Sequence, residues 1–276
     1  MKYGFVLPYG DARAAADLAN DAERVGWDGF FVWEPVWGID SWVALTAAAM
    51  QTERIRLGTM LSPISRMRPW KLASETATLD NLSGGRVILS VGLGALDTGF
   101  QAFSEVTDRK TRAELLDEGL DILTGLWQGQ PFRYQGKHYH IEEAKFYPPP
   151  PPVQKPRIPI WVVGAWPRRK SMDRALRYDG LLPLVMDRAG KIVPTTPEMI
   201  REIKAYIQER RSVPAPYDII VEGKTPEDDL AKAVEETQRW KDAGATWWIE
   251  ALWGAIDAPG RLELTKKRIL AGPPRK

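Results

Sequence analysis

The sequence contains no cysteine. Disulfides, thiolate nucleophiles and cysteine-ligated zinc or iron–sulfur sites are therefore excluded. Histidine is almost as scarce, with His138 and His140 the two present. An H-x-H pair can bind a metal, but no further ligands accompany it, so no metal centre is expected. Charge of one sign is missing too. Lys and Arg number 38 against 36 Asp and Glu, a formal net charge of +2. Nucleic-acid surfaces usually carry a basic stripe, so no such partner is expected. The one basic cluster, Lys266, Lys267, Arg268, Arg275 and Lys276, reads as a solvated helix end and tail, where cations suit the helix dipole. No apolar run approaches the roughly 20 residues of a membrane span. The opening MKYGFVLPYG is too short in apolar residues for a secretory signal. The expected location is the cytoplasm, with no membrane partner.

What is present is a large apolar fraction, 44%, enough for a sizeable core and incompatible with disorder. Short apolar runs alternate with longer helical patterns. The expected strands are Tyr3–Leu7, Gly29–Trp33, Arg56–Leu61, Val87–Val91, Ile158–Gly164, Gly180–Leu184, Asp218–Glu222 and Thr246–Glu250. They are apolar almost throughout, the mark of parallel strands buried on both faces. Between them, Leu116, Leu120, Leu123 and Trp127 recur at helical spacing within Asp108–Gln128, with Asp108 as N-cap. Further helices are expected over about Thr196–Arg211, with Pro197 suited to a first helical position, and over about Pro226–Ala243, ending at Gly244. Eight strands, each followed by a helix, predict a single α/β domain over residues 1–276, a closed (β/α)8 barrel of the TIM type. An insertion at about 129–157 interrupts the rhythm. Phe132–Tyr134 and Tyr139–Ile141 read as a small hairpin, and Pro148–Pro152 as a stiff lead into the fifth strand; a proline-rich ligand for a partner domain is the other reading.

In such a barrel, chemistry sits at the C-terminal strand ends. Those ends carry Pro8 and Tyr9; Trp33, Glu34 and Pro35; Ser62 and Pro63; Gly92 and Gly94; Gly164, Ala165, Trp166 and Arg168; Pro183 and Met186; Glu222 and Gly223; Glu250 and Trp253. Glycine and tryptophan abound, whereas histidine and clustered aspartate are missing. Gly92 and Gly94 would let a ring or phosphate approach the backbone. Gly164, Ala165 and the helix start near Arg168, with Arg169 and Lys170 beside it, suit a phosphate; the other reading is a solvated helix face. Trp33, Trp37, Trp166 and Trp253 could wall an aromatic pocket. Trp247 and Trp248 are adjacent in a strand and point oppositely. Glu34 and Glu250 are the carboxylates that could face the mouth, to orient a substrate or shuttle a proton, or simply to form a rim ion pair. Lys224 reads as a loop lysine rather than a Schiff-base former.

Three stretches resemble the bacterial luciferase-like monooxygenase superfamily. They are Ala77–Arg86 running into Val87–Gly94, Pro159–Gly164 with the following helix, and Ala22–Phe30. The insertion ending in Phe146–Pro150 is similar as well. The resemblance implies a flavin-type ring over the barrel mouth, with FMN the leading cofactor and coenzyme F420 the alternative. It implies ring contacts from Pro8, Trp33, Met60, Leu61, Ser62, Gly92 and Gly94, and a phosphate near Gly164, Ala165, Trp166 and Arg168. It places a non-prolyl cis peptide within Met60-Leu61-Ser62. It implies an oxidoreductase or monooxygenase acting on a small apolar or aromatic molecule, a homodimer, and a flavin reductase as partner. Cofactor chemistry would explain the shortage of catalytic side chains; a non-catalytic barrel would fit that shortage equally. Metal- or lysine-dependent hydrolases and aldolases are disfavoured by the bare strand ends. The sequence departs from deazaflavin dehydrogenases of the family that carry histidine after strand two. Glu34-Pro35-Val36 stands there, and Ala95 stands where some carry an acid. Sugar-phosphate oxidation of that type is therefore not implied.

Overall fold

The computed structural model describes residues 1–275 except 144–146, 213–214, 227–228 and 256–258. Phe146, Lys276 and residues 227–228 of the expected Pro226–Ala243 helix fall outside them. Eight parallel strands form a closed ring: β1 (Lys2–Leu7), β2 (Gly29–Val32), β3 (Arg56–Thr59), β4 (Val87–Gly92), β5 (Ile160–Trp166), β6 (Gly180–Val185), β7 (Asp218–Gly223) and β8 (Trp247–Ala251). Each pairs with its successor, and β8 pairs with β1. The helices α1 (Ala12–Arg24), α2 (Ser41–Met50), α3 (Pro69–Leu82), α4 (Arg109–Gln128), α5 (Arg169–Leu176), α6 (Pro197–Arg210), α7 (Leu230–Ala243) and α8 (Arg261–Leu270) follow the strands in turn. This is the TIM-barrel fold expected from the alternation of elements.

Local rules set the helix ends. Asp108 caps α4 by accepting from the Thr111 amide, and Leu116, Leu120, Leu123 and Trp127 are its buried face. Thr196 caps α6 with Pro197 in the first turn. Helix α7 begins at Leu230, capped by Asp229, and so starts later than the expected Pro226. Its end at Gly244 uses a φ of 112°, which glycine adopts without the Cβ penalty. The insertion forms a hairpin of two very short strands, Tyr134–Gln135 and His140–Ile141, less than expected. The proline run is anchored by Asn81, whose amide donates to the carbonyls of Pro150 and Pro151.

Strand alternation sends one set of side chains to the helices and the other into the lumen. The lumen is filled low down by Phe31, Trp161 and Trp247. Their ring centroids lie 5.4 Å (Phe31–Trp161), 5.1 Å (Trp161–Trp247) and 6.1 Å (Phe31–Trp247) apart. Small residues make the room. A Cβ on Gly29 would lie 2.7 Å from the Phe31 ring, and one on Gly180 would lie 2.4 Å from Trp161. Gly58 serves closure itself, because a Cβ there would sit 2.1 Å from the Ile88 carbonyl oxygen on β4. Backbone cannot yield as a side-chain end can. Gly58→Ala should therefore lower the unfolding free energy by about 2–3 kcal/mol, at the upper end for overpacking. Urea unfolding measures this, and a loss below about 0.5 kcal/mol would contradict the β3–β4 closure described.

Candidate functional site

Above the aromatic layer the lumen opens into a cavity of about 590 Å³ at the C-terminal strand ends. Small-molecule sites typically span about 300–1,000 Å³. One wall is apolar, built by Met60, Leu61 and Pro63 after β3, Leu93 after β4, and Val163 and Leu182 inside β5 and β6. The Met60–Leu61 peptide is cis, within the segment where the resemblance placed it.

Glu34 lies in the wall beside that segment, with 10% of its side chain exposed. Its Oε2 accepts from the Ser62 hydroxyl at 2.5 Å, and Ser62 Oγ lies 2.8 Å from Thr59 Oγ1. Arg66 is near, but its Nη2 donates to the carbonyls of Glu34 and Pro35 at 2.8 and 2.9 Å and stands 3.8 Å from the carboxylate. Burial outweighs the Ser62 hydrogen bond and this distant cation, and Glu75 and Asp40 add repulsion, so the carboxyl is pushed up to about 7. It can hold or release a proton near neutral pH.

Glu222, from β7, also reaches the cavity. Trp253 Nε1 donates to its Oε1 at 2.8 Å. Water reaches this carboxyl through the cavity, yet protein encloses most of its surroundings. That loss of bulk water raises its pKa, against the pull of the indole N–H. Trp33 meets Trp253 edge to face, with centroids 6.0 Å apart and planes at 79°.

Cations enter from α4 and α5. Arg109 and Arg112 of α4 and Arg174 of α5 line the cavity, as does Ser171 in the first turn of α5. Asp117 engages Arg174 by two hydrogen bonds of 2.6 and 2.7 Å. Arg112 Nη1 donates to the Leu93 and Gly94 carbonyls, while its buried Nε has no partner.

Several expected site residues lie elsewhere. Glu250 does not face the mouth. Trp247, Ile249 and Ala251 point into the lumen, so alternation turns Glu250 to the helix side. There it is fully buried, 3.2 Å from Arg268 on α8, and accepts from Thr225 and Trp248. Trp166 turns outward for the same reason and meets Tyr206 of α6. Gly164 also faces out, where a Cβ would lie 2.2 Å from Leu181 and 2.9 Å from Met172 Sδ; its smallness serves helix packing. Arg168 is exposed at the N-cap of α5, its guanidinium against Gly190. Pro8 is buried and outside the lining; Gly92 is sealed below Leu61 and Val163; Ser62 touches the site through Glu34. Trp37 is 84% exposed and forms no wall. Trp33, Glu34, Met60, Leu61, Gly94 and Ala165 do line the cavity. The sequence reading missed Arg109, Arg112, Arg174 and Ser171, which come from helix first turns and faces rather than strand ends. His138 bonds Glu114 of α4 at 2.8 Å, far in function from the mouth.

The mouth thus brings a carboxyl raised to about 7 and three arginines together at the C-terminal strand ends, where this fold keeps its chemistry. Residues 2–261 match the luciferase-like monooxygenase family model, and the chain belongs to that family. It is similar to the F420-dependent glucose-6-phosphate dehydrogenase of Amycolatopsis mediterranei (strain U-32), 30% identical over 252 residues, covering 83% of this chain and 69% of the relative. Among solved structures, it resembles monooxygenase RslO1 from Streptomyces bottropensis (26% identity, TM-score 0.67, covering 88% of this chain and 78% of the other). An F420-dependent secondary alcohol dehydrogenase in complex with an F420-acetone adduct shares its fold (18% identity, TM-score 0.76, 100% and 99% covered). The protein is thus a luciferase-like oxidoreductase.

Two outcomes follow from the two carboxyls. Glu34 has its pKa raised from 4.5 to about 7, so its contribution to stability is full below pH 4.5 and is lost as pH rises through 7. Glu34→Gln should remove that loss and gain about 2–3 kcal/mol over wild type at pH 8, with little difference at pH 4.5; urea unfolding at both pH values tests it. Glu250→Ala should cost about 3–5 kcal/mol in the same assay, because it strands the buried Arg268.

Proposed function

We propose that the cavity takes a tricyclic flavin-type cofactor beside a small, largely apolar substrate, and that the protein transfers hydride between them with coenzyme F420. The observation that carries this reading is Glu34, a proton-holding carboxyl on the apolar cavity wall. The fit to the cofactor rests on two features. The wall of Met60, Leu61, Leu93 and Val163 suits a planar ring. The unpartnered Nε of buried Arg112, with Arg109 and Ser171 in the same cavity lining, suits the phosphate. When bound, F420 supplies a hydride donor and acceptor, and FMN would supply oxygen activation as well.

The chain's own part is positional and protonic. The apolar wall excludes water from the ring face. Arg112 fixes the Leu93–Gly94 turn through its two carbonyl bonds and offers its charge to an anion. Glu34 gives a proton to, or takes one from, the substrate heteroatom as hydride arrives or leaves. Ser62, donating to Glu34, favours the ionised carboxylate and so helps release the proton.

The relative named for F420 supports the deazaflavin reading. Monooxygenation with FMN is the second reading; the likeness to monooxygenase RslO1 supports the monooxygenation equally well. Titration of the purified protein with F420 and FMN, followed by cofactor fluorescence, separates them; failure of both to bind below high-micromolar concentration would overturn the cofactor reading. Arg109→Ala should weaken FMN binding about threefold to tenfold more than riboflavin binding. Equal losses would remove the phosphate from this flank.

A further inference from the structure

The two cavity carboxyls differ in company. Glu34 has Ser62 and Arg66. Glu222 has one donor, the Trp253 indole on Oε1. Among the described residues no hydrogen bond reaches its Oε2 and no cation pairs with it. Its strand position is fixed: it follows Ile220 on the lumen face of β7 and registers with Ile249 of β8. Trp253 touches it through that bond, and Trp33, Ile220 and Leu182 line the same cavity. The arginines of the lining come from α4 and α5 rather than from β7 or β8. The mouth is therefore divided, with an anion-seeking flank and an aromatic corner that ends in an open carboxyl acceptor.

A carboxylate has about four lone-pair sites, and one is used. A carboxylate oxygen that no described protein group meets, open to the cavity, rewards a ligand that brings a donor, and repels one that brings an anion. We infer that Glu222 is a specificity-determining residue that anchors a hydrogen-bond donor, a hydroxyl or an ammonium, on an otherwise apolar substrate and rejects anionic substrates such as sugar phosphates. The inference rests on the reading of this cavity as the substrate site. It separates the chain from its dehydrogenase relative by charge rather than by size. The adjoining indole faces of Trp33 and Trp253 accept either an apolar ring or the cation of an amine.

The test uses three probes of one size: benzyl alcohol, benzylamine and benzoate. Their binding to the full-length protein, with whichever cofactor it takes, is measured by ligand-observed NMR at pH 7.5. Wild type should bind the alcohol, the amine or both about tenfold or more tightly than benzoate. Glu222→Leu should abolish that preference. Glu222→Gln separates the two donors: it keeps the alcohol, whose hydroxyl still finds the amide oxygen, and loses the amine about tenfold. Benzoate bound as well as both other probes, a preference unchanged in Glu222→Leu, or binding of none of the three would overturn the inference. Cofactor titration of wild type and Glu222→Gln runs alongside. Equal cofactor binding by both, with an unchanged probe preference, sinks the role of Glu222 alone. No cofactor binding by wild type sinks the cofactor reading instead.

Discussion

The packing of Phe31, Trp161 and Trp247 in the lumen sets the terms for everything above it. Three large rings close the lower barrel and leave an open chamber at the strand ends. They fit because Gly29, Gly58 and Gly180 carry no side chain where the rings and the neighbouring strand pass. The floor is thus made by residues outside the cavity lining, while the walls come from strand ends and first helical turns. Core packing and cavity lining are drawn from different residues, the division expected of this architecture.

The walls are electrically uneven. Arginines from α4 and α5 hold one flank, and carboxyls from β7 and the turn after β2 hold the others. Burial, more than pairing, governs Glu34: its cation stands 3.8 Å away and is occupied with carbonyls. A closer, bidentate Arg66 would have fixed Glu34 as a permanent carboxylate. The looser contact keeps its proton in play, which suits a site where histidine and cysteine are missing.

Much of the architecture was legible in the sequence. Buried parallel strands announce themselves as unbroken apolar runs, and Asp108, Thr196 and Gly244 mark helix ends by their own chemistry. Side-chain direction was harder. Glu250, Trp166 and Gly164 sit at the right strand ends but on the wrong parity, and end position alone says nothing of parity. The pattern was available in part: adjacent Trp247 and Trp248 must oppose, so a lumen-facing Trp247 sends Glu250 outward. The same counting from Ile220 brings Glu222 inward. Arg109 and Arg112 had no such signal. Charged residues near a helix start usually face water, and only the tertiary path of α4 across the mouth turns them to the cavity.

Glu34 carries one more consequence. A carboxyl that titrates near 7 leaves the empty cavity a mixture of charged and neutral molecules at physiological pH. Any guest that prefers one form draws protons from the buffer or returns them as it binds. Heats of binding would then depend on the ionisation enthalpy of the buffer, and the proton count, a fraction per molecule, would report which form of Glu34 the guest selects.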